Sequence, residues 1–220
     1  MKPPIWQVYD WLQTDSAYPH GPMPAATCHI DTAVRIGGLR ASVPTTREVL
    51  LVGPSTRHEY DKLRTVFPLA RFTLLTCFAA ELAGLADTGE VVLGDMHDTP
   101  FKSDSFDLVF SSNVLEHAFS PYGALLELRR VLKLGGEIYS VIPTFETDGG
   151  GNTPWHLHCM SETQWFSLLH KAGFGAASAI KVREDSVAGA EYHHISAVAV
   201  EPAWPQHAEA LRRLRELKGG

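Results

Sequence analysis

From residue 48 onward, short apolar runs alternate with helical segments. This alternation predicts a doubly wound α/β fold: a mostly parallel seven-stranded sheet, helices on both faces and an antiparallel edge strand. Two further observations support the expectation. Runs such as Glu48-Val49-Leu50-Leu51-Val52 and Phe106-Asp107-Leu108-Val109-Phe110 are nearly continuous in apolar residues, as central strands covered on both faces require. The chain has 220 residues, 45% of them hydrophobic and 20% charged, which suits one such domain with modest additions and no metal or disulfide needed for folding.

The elements follow in order. Residues 1–44 are expected to form an irregular arm. Ile5 to Leu12 reads as a short amphipathic helix, and Pro19, Pro22 and Pro24 forbid regular structure around Tyr18 and His20. Such an arm serves as packing or as a lid. The strand from Glu48 stops at Gly53-Pro54, and Ser55 or Thr56 caps a helix to about Phe67. Phe72–Thr76 is the second strand, Ala79–Ala86 a short helix, Glu90–Asp95 the third strand and Phe106–Ser111 the fourth.

Pro121 starts a helix with Leu125, Leu128, Val131 and Leu132 on one face. It is expected to end at Lys133-Leu134-Gly135-Gly136, a cationic last turn with a glycine stop. Glu137–Pro143 is the fifth strand, and Ser161-Glu162-Thr163-Gln164 has the spacing of a capping box. Ala176–Arg183 and Ile195–Val200 form an antiparallel pair at the sheet edge, and Ala203–Lys218 a surface helix. The expected organisation is an arm over 1–44, a core domain over 45–200 and a C-terminal helix over 201–220.

Composition narrows the function. The formal charge of -6 opposes a nucleic-acid binder, whose phosphate contacts need clustered Lys and Arg. No apolar run reaches membrane-spanning length, and no signal peptide stands at the start. Cys28, Cys77 and Cys159 form no CxxC pair, so neither a zinc knuckle nor a disulfide framework is expected. A cytoplasmic protein follows as the default, with no nucleic acid, no membrane and a possible homodimer. The unusual count is histidine, at 11.

In doubly wound sheets a ligand lies beyond the carboxyl ends of the strands, where the strand order reverses. That rule gathers Gly53–Thr56, Thr76–Phe78, Asp95–His97 and Ser111–His117 around one crevice. Three stretches there are distinctive: Gly94-Asp95-Met96-His97-Asp98-Thr99-Pro100-Phe101, Ser111-Ser112-Asn113-Val114-Leu115-Glu116-His117, and Leu128-Arg129-Arg130-Val131-Leu132-Lys133-Leu134-Gly135-Gly136. In this order and spacing they resemble the class I S-adenosylmethionine-dependent methyltransferases of the type 11, small-molecule branch, with a Rossmann-like sheet. The resemblance covers residues 48–174 well.

It implies methyl transfer by direct displacement from S-adenosylmethionine to an oxygen, nitrogen or sulfur nucleophile of a small-molecule acceptor. It also implies a donor site at Gly53, Pro54, Ser55, Thr76, Cys77, Asp95, Met96, His97, Ser111 and Asn113. In the family the glycine loop passes under the methionine part of the donor. Asp95 matches the acid that accepts from the adenine amino group, and Met96 the apolar residue against the adenine face. Ser111 and Asn113 match positions near the reactive methyl. Two departures stand out. Only Gly53 remains of the usual GxGxG loop, and Thr76 occupies the end of strand two, where an acid usually holds the ribose. Glu81 stands one helical turn further on.

His117, His156 and His158 are the candidate catalytic residues. An imidazole titrates near the pH at which a hydroxyl or amine must lose a proton, although His117 can equally pack or cap its turn. His156 and His158 alternate in an extended segment and so share a face, toward an acceptor, a metal or the loop itself. His20, Cys28, His29, Asp31 and Cys159 join them only if the arm folds over; no metal set is assigned. His193-His194 reads as a solvated or edge-strand pair, and Trp155, Trp165, Phe119 and Tyr122 as pocket walls or core. The alternative function is a methyltransferase-like fold that no longer methylates, as a partner subunit or with a metal-assisted reaction.

Overall fold

The computed structural model describes residues 29–39, 45–54, 57–77, 82–145, 156–184 and 190–219. Expectations for the first part of the arm, Ser55, Glu81 and Trp155 lie outside these residues. Seven strands form one sheet: β1 (Glu48–Val52), β2 (Arg71–Thr76), β3 (Glu90–Leu93), β4 (Phe106–Ser112), β5 (Leu132–Ile142), β6 (Phe174–Glu184) and β7 (Ala190–Ala199). Their order is β3-β2-β1-β4-β5-β7-β6, with the first five parallel and β7 antiparallel to both β5 and β6. The order reverses between β1 and β4, so the crevice opens beyond Val52 and Ser112.

The helices are α1 (His29–Arg35), α2 (Arg57–Val66), α3 (Leu82–Leu85), α4 (Pro121–Val131), α5 (Glu162–Ala172) and α6 (Pro205–Leu217), with a 3₁₀ turn at Leu115–His117. The parallel strands read as apolar runs because both faces are covered. On one face Leu50, Val52 and Val109 pack with Leu125 and Leu128 of α4 and Trp165 and Leu169 of α5. On the other, Val49, Leu51, Leu108 and Phe110 pack with Ile30 of α1, Tyr60 and Leu63 of α2, and Leu85 of α3. Among the described residues no helix is long and apolar enough to cross a membrane.

Two local expectations change. Helix α4 stops at Val131, because Leu132 turns extended (φ −76°, ψ 136°) and pairs with Phe106. Lys133-Leu134-Gly135-Gly136 is therefore an irregular start of β5, with Gly135 at φ +81°. His193 and His194 are buried, because β7 lies inside the sheet and β6 forms the edge. His194 Nδ1 is 3.0 Å from the Tyr139 hydroxyl, and His193 Nδ1 is 3.0 Å from the Thr144 hydroxyl. The capping box is formed: Ser161 Oγ accepts from the Gln164 amide and Gln164 Oε1 from the Ser161 amide. Trp165 is fully buried core rather than a pocket wall.

Candidate active site

The end of β1 turns at Gly53, with φ +64°. Its amide donates to the Leu75 carbonyl at 2.8 Å, and a Cβ there would lie 2.5 Å from Val114 Cγ2. Positive φ and this approach both call for glycine. Pro54 behind it is buried and Cys77 half-buried. Thr76 is buried at the end of β2, and its carbonyl accepts from the Gly94 amide at 2.9 Å.

Beyond β3, Asp95 is 4% exposed and Met96 9%. Asp95 Oδ1 accepts from the His97 amide at 2.7 Å and lies 2.5 Å from His97 Nδ1. His97 Nε2 accepts from the Ser120 amide at 3.2 Å, which leaves the ring proton on Nδ1, toward Asp95. His97 is thus a positioning residue that ties the β3 turn to the start of α4. The second oxygen, Asp95 Oδ2, is buried with no hydrogen-bond partner. A buried acceptor without a donor is costly, and an amine from a bound ligand would satisfy it.

At the end of β4 the residues separate. Ser111 Oγ is 2.8 Å from Ser140 Oγ on β5 and buried, so it joins two strands instead of facing the crevice. Asn113, at φ +52°, anchors its amide on the Val141 carbonyl at 2.9 Å. Its Nδ2 lies 3.3 Å from Nε2 of His29 on α1, and its Oδ1 is buried without a partner. The last part of the arm therefore does reach the crevice, through His29. That residue packs edge-on against Tyr192 and His194.

The 3₁₀ turn then places Glu116 and His117. Glu116 is completely buried. One of its oxygens, Oε1, lies 3.8 Å from His117 Nε2 and 3.9 Å from His156 Nε2. The two rings meet edge-on at 5.2 Å, and the three groups offer ligand atoms within 4.8 Å of one another. His158 does not join them by its side chain; its amide donates to the Glu116 carbonyl at 3.0 Å and holds the loop on the turn. Glu116 is the residue that sequence reasoning passed over. Its signal was present, as a carboxylate beside His117 in a turn at a strand end.

A second buried carboxylate shapes the neighbouring loop. Glu127 and Arg130 are both 0% exposed, with contacts of 2.7 and 2.8 Å. Glu127 Oε1 also accepts from the amide and hydroxyl of Thr99, at 2.9 and 2.6 Å, and Arg130 donates to the Phe101 carbonyl at 2.7 Å. This knot fixes residues 99–101, just past the Asp95 turn. The motif containing Arg130 is thus a clamp on the ligand side of β3.

Residues 70–140 match the family model described as a methyltransferase domain. That stretch is similar to methyltransferase domains, and the fold around it is the one shared by class I S-adenosylmethionine-dependent methyltransferases. The tRNA U34 carboxymethyltransferase of Cellvibrio japonicus is 31% identical over 126 residues, which is 52% of this chain and 38% of that relative. The chain thus matches about two fifths of that relative's length. Among solved structures, the Haloferax volcanii putative methyltransferase, in complex with the Trm112 methyltransferase activator, has a TM-score of 0.67 at 18% identity. The likeness covers 80% of this chain and 96% of that one. The geranyl diphosphate C-methyltransferase of Streptomyces coelicolor, solved with S-adenosyl-L-homocysteine, has a TM-score of 0.63 at 14% identity, covering 78% and 77%.

The superfamily's donor, S-adenosylmethionine, fits the crevice where it can be checked. Asp95 Oδ2 is a buried acceptor that an amine such as that of adenine can answer, Met96 follows it, and Gly53 turns the chain at the switch point with Val114 packed against it. These relatives overturn one expectation, that of a small-molecule acceptor and no nucleic acid, with a possible homodimer as the protein contact. Similarity runs to an enzyme named for tRNA and to a protein solved with an activator. The physical reason is that a net charge measures only the unspecific phosphate field. It is silent on local recognition and on a partner that carries the basic surface.

Proposed function

We propose that this chain transfers a methyl group from S-adenosylmethionine to a nucleophile on an RNA acceptor, in the cytoplasm, with a protein partner sharing the acceptor contacts. When bound, the donor supplies an electrophilic methyl on a sulfonium whose leaving group is a neutral thioether. The chain's residues then have to bind, align and exclude water. Asp95 and Met96 hold the adenine, Gly53 and Pro54 shape the floor beneath the methionine part, and Asn113 Oδ1 offers a buried acceptor to its ammonium. Thr76 replaces a charge-assisted ribose contact by a neutral one, worth about 1 kcal/mol.

His117 and His156 stand at the acceptor end, where an imidazole can take the proton that the nucleophile loses. Phe119 and Phe145, 39% and 54% exposed, follow β4 and β5 on the same side of the sheet. Exposed aromatic rings of this kind stack unpaired bases. The negative overall charge leaves phosphate neutralisation to the partner.

The single observation that carries the donor assignment is the buried, partnerless Asp95 Oδ2. The test is calorimetry with S-adenosylmethionine and its demethylated product, followed by transfer of labelled methyl to bulk tRNA. Binding of either molecule is expected. Asp95→Ala should weaken it by about 1.5–3 kcal/mol, the range for a hydrogen bond to a charged group. No binding heat for either molecule, or label that never enters RNA with a candidate partner added, would sink the proposal.

A further inference from the structure

The three-residue cluster beyond β4 has the composition of a metal centre. Glu116 offers one carboxylate oxygen and His117 and His156 each an imidazole nitrogen, all within 4.8 Å. The separations of 3.8 and 3.9 Å from Glu116 Oε1 to the two Nε2 atoms are too long for hydrogen bonds. Zinc bound tetrahedrally at about 2.0–2.1 Å holds its ligand atoms roughly 3.3–3.4 Å apart. The two gaps to Glu116 Oε1 therefore close by about half an ångström each, and the remaining ligand pair, which lies within 4.8 Å, by up to about 1.5 Å, with both imidazole side chains 15–18% exposed.

The surroundings favour a cation. Glu116 is 0% exposed and the two imidazoles facing it 15–18% exposed, so an ion held among them would be largely shielded from water. The site is also held from both sides. The 3₁₀ turn fixes Glu116 and His117 as sequence neighbours, while the His158 amide on the Glu116 carbonyl at 3.0 Å brings His156 to them. Two imidazoles and one carboxylate suit a borderline divalent ion, whereas magnesium and calcium prefer oxygen donors alone. Three protein ligands leave one position open, the pattern of catalytic zinc sites.

We infer that Glu116, His117 and His156 bind one divalent transition-metal ion, with zinc as the best match, leaving a coordination position for the acceptor, where the ion in place of a free imidazole would acidify the nucleophile. The last clause alone rests on the proposed methyl transfer; metal binding does not. Sequence reading assigned no metal and paired His156 with His158. The geometry replaces His158 by Glu116.

The experiment uses the full chain, purified without a histidine tag and stripped with chelator. Zinc is titrated by calorimetry, and cobalt serves as the spectroscopic probe. One equivalent of zinc should bind, and cobalt should give the intense visible bands of a four-coordinate nitrogen–oxygen site. Glu116→Gln and His156→Ala should each weaken zinc by at least about 100-fold, the upper range for removing even an outer-shell partner of a ligand. His170→Ala should not, since His170 lies on α5 with its ring against Trp204.

Retained S-adenosylmethionine binding by Glu116→Gln shows that the variant is folded. It also separates this proposal from the donor assignment: zinc binding without donor binding sinks only the latter, and the reverse sinks only the former. Substoichiometric zinc, or zinc indifferent to both Glu116→Gln and His156→Ala, overturns the inference.

Discussion

Glu127 and Glu116 are both wholly shut off from solvent, eleven positions apart, yet they are held very differently. Around Glu127 the Arg130 guanidinium closes to 2.7 and 2.8 Å, and Thr99 adds an amide and a hydroxyl. Around Glu116 Oε1 two imidazole nitrogens, of His117 and His156, stand at 3.8 and 3.9 Å, and both rings can change charge or bind a metal. A charge built for stability is saturated with short, permanent partners. The Glu116 group keeps spacing and chemistry that a substrate, a proton or an ion can use. The first holds a loop in place, and the second is a place where something can arrive.

The largest effect should come from the saturated side. Glu127→Ala leaves the Arg130 guanidinium buried and uncompensated, a change that costs about 3–5 kcal/mol. Chemical denaturation should show that loss, and donor affinity should fall with it because residues 99–101 lose their clamp. The paired change Glu127→Leu/Arg130→Met should recover most of the stability, since an apolar pair of similar volume often replaces a buried ion pair without loss. A double variant as unstable as the single one would show that the loop's hydrogen bonds, more than the charges, carry the energy.

Asp107 gives an intermediate case, about a quarter exposed. Burial raises its pKa, but the Lys133 ammonium at 2.7 Å and the amides of Arg47 and Glu48, each at 2.9 Å, outweigh that. The net result lies below the ordinary 3.8. Because the folded pKa is depressed, its contribution is fully present above the unfolded value and disappears as pH falls below 3.8. Asp107→Asn should therefore cost about 1–2 kcal/mol at neutral pH, and the gap to the parent should shrink in acid below pH 4. A gap that stays constant down to pH 2 would show that the ionised carboxylate is not what joins β1, β4 and β5.

Much of the fold was legible in the sequence, whereas the contrast between the two glutamates was not. Apolar runs give the strands because parallel strands are covered on both faces, and the Ser161–Gln164 box forms as its spacing requires. The turn at Gly53 was legible too, since it sits at a strand end where local rules apply. What could not be read is long-range. His29 meets Asn113 across 84 positions and His156 meets Glu116 across 40, and no local pattern encodes either meeting. The α4 boundary was missed for another reason: Lys133-Leu134-Gly135-Gly136 carries a sound helix stop, but pairing of Leu132 with Phe106 ends the helix first. His193 and His194 read as polar edge residues because their hydroxyl partners, Tyr139 and Thr144, lie about 50 residues away.

The smallest effect on the bare protein, and the sharpest test of the comparison, is Glu116→Gln. It keeps the shape and removes the charge, and the ring nitrogens of His117 and His156 stand 3.8 and 3.9 Å from Oε1, so the change in stability should stay within about 1 kcal/mol in chelator. Zinc should then separate the two proteins. An ion that binds only the folded parent stabilises it by RT ln(1 + [L]/Kd), about 2.7 kcal/mol at a hundred times Kd, whereas the variant gains little. Denaturation of both, with chelator and with zinc, measures this directly. If Glu116→Gln in chelator falls by as much as Glu127→Ala, the two glutamates are alike and Glu116 is a structural charge. If it holds in chelator and fails to gain from zinc, the longer spacing around Glu116 is the mark of a site built to receive an ion.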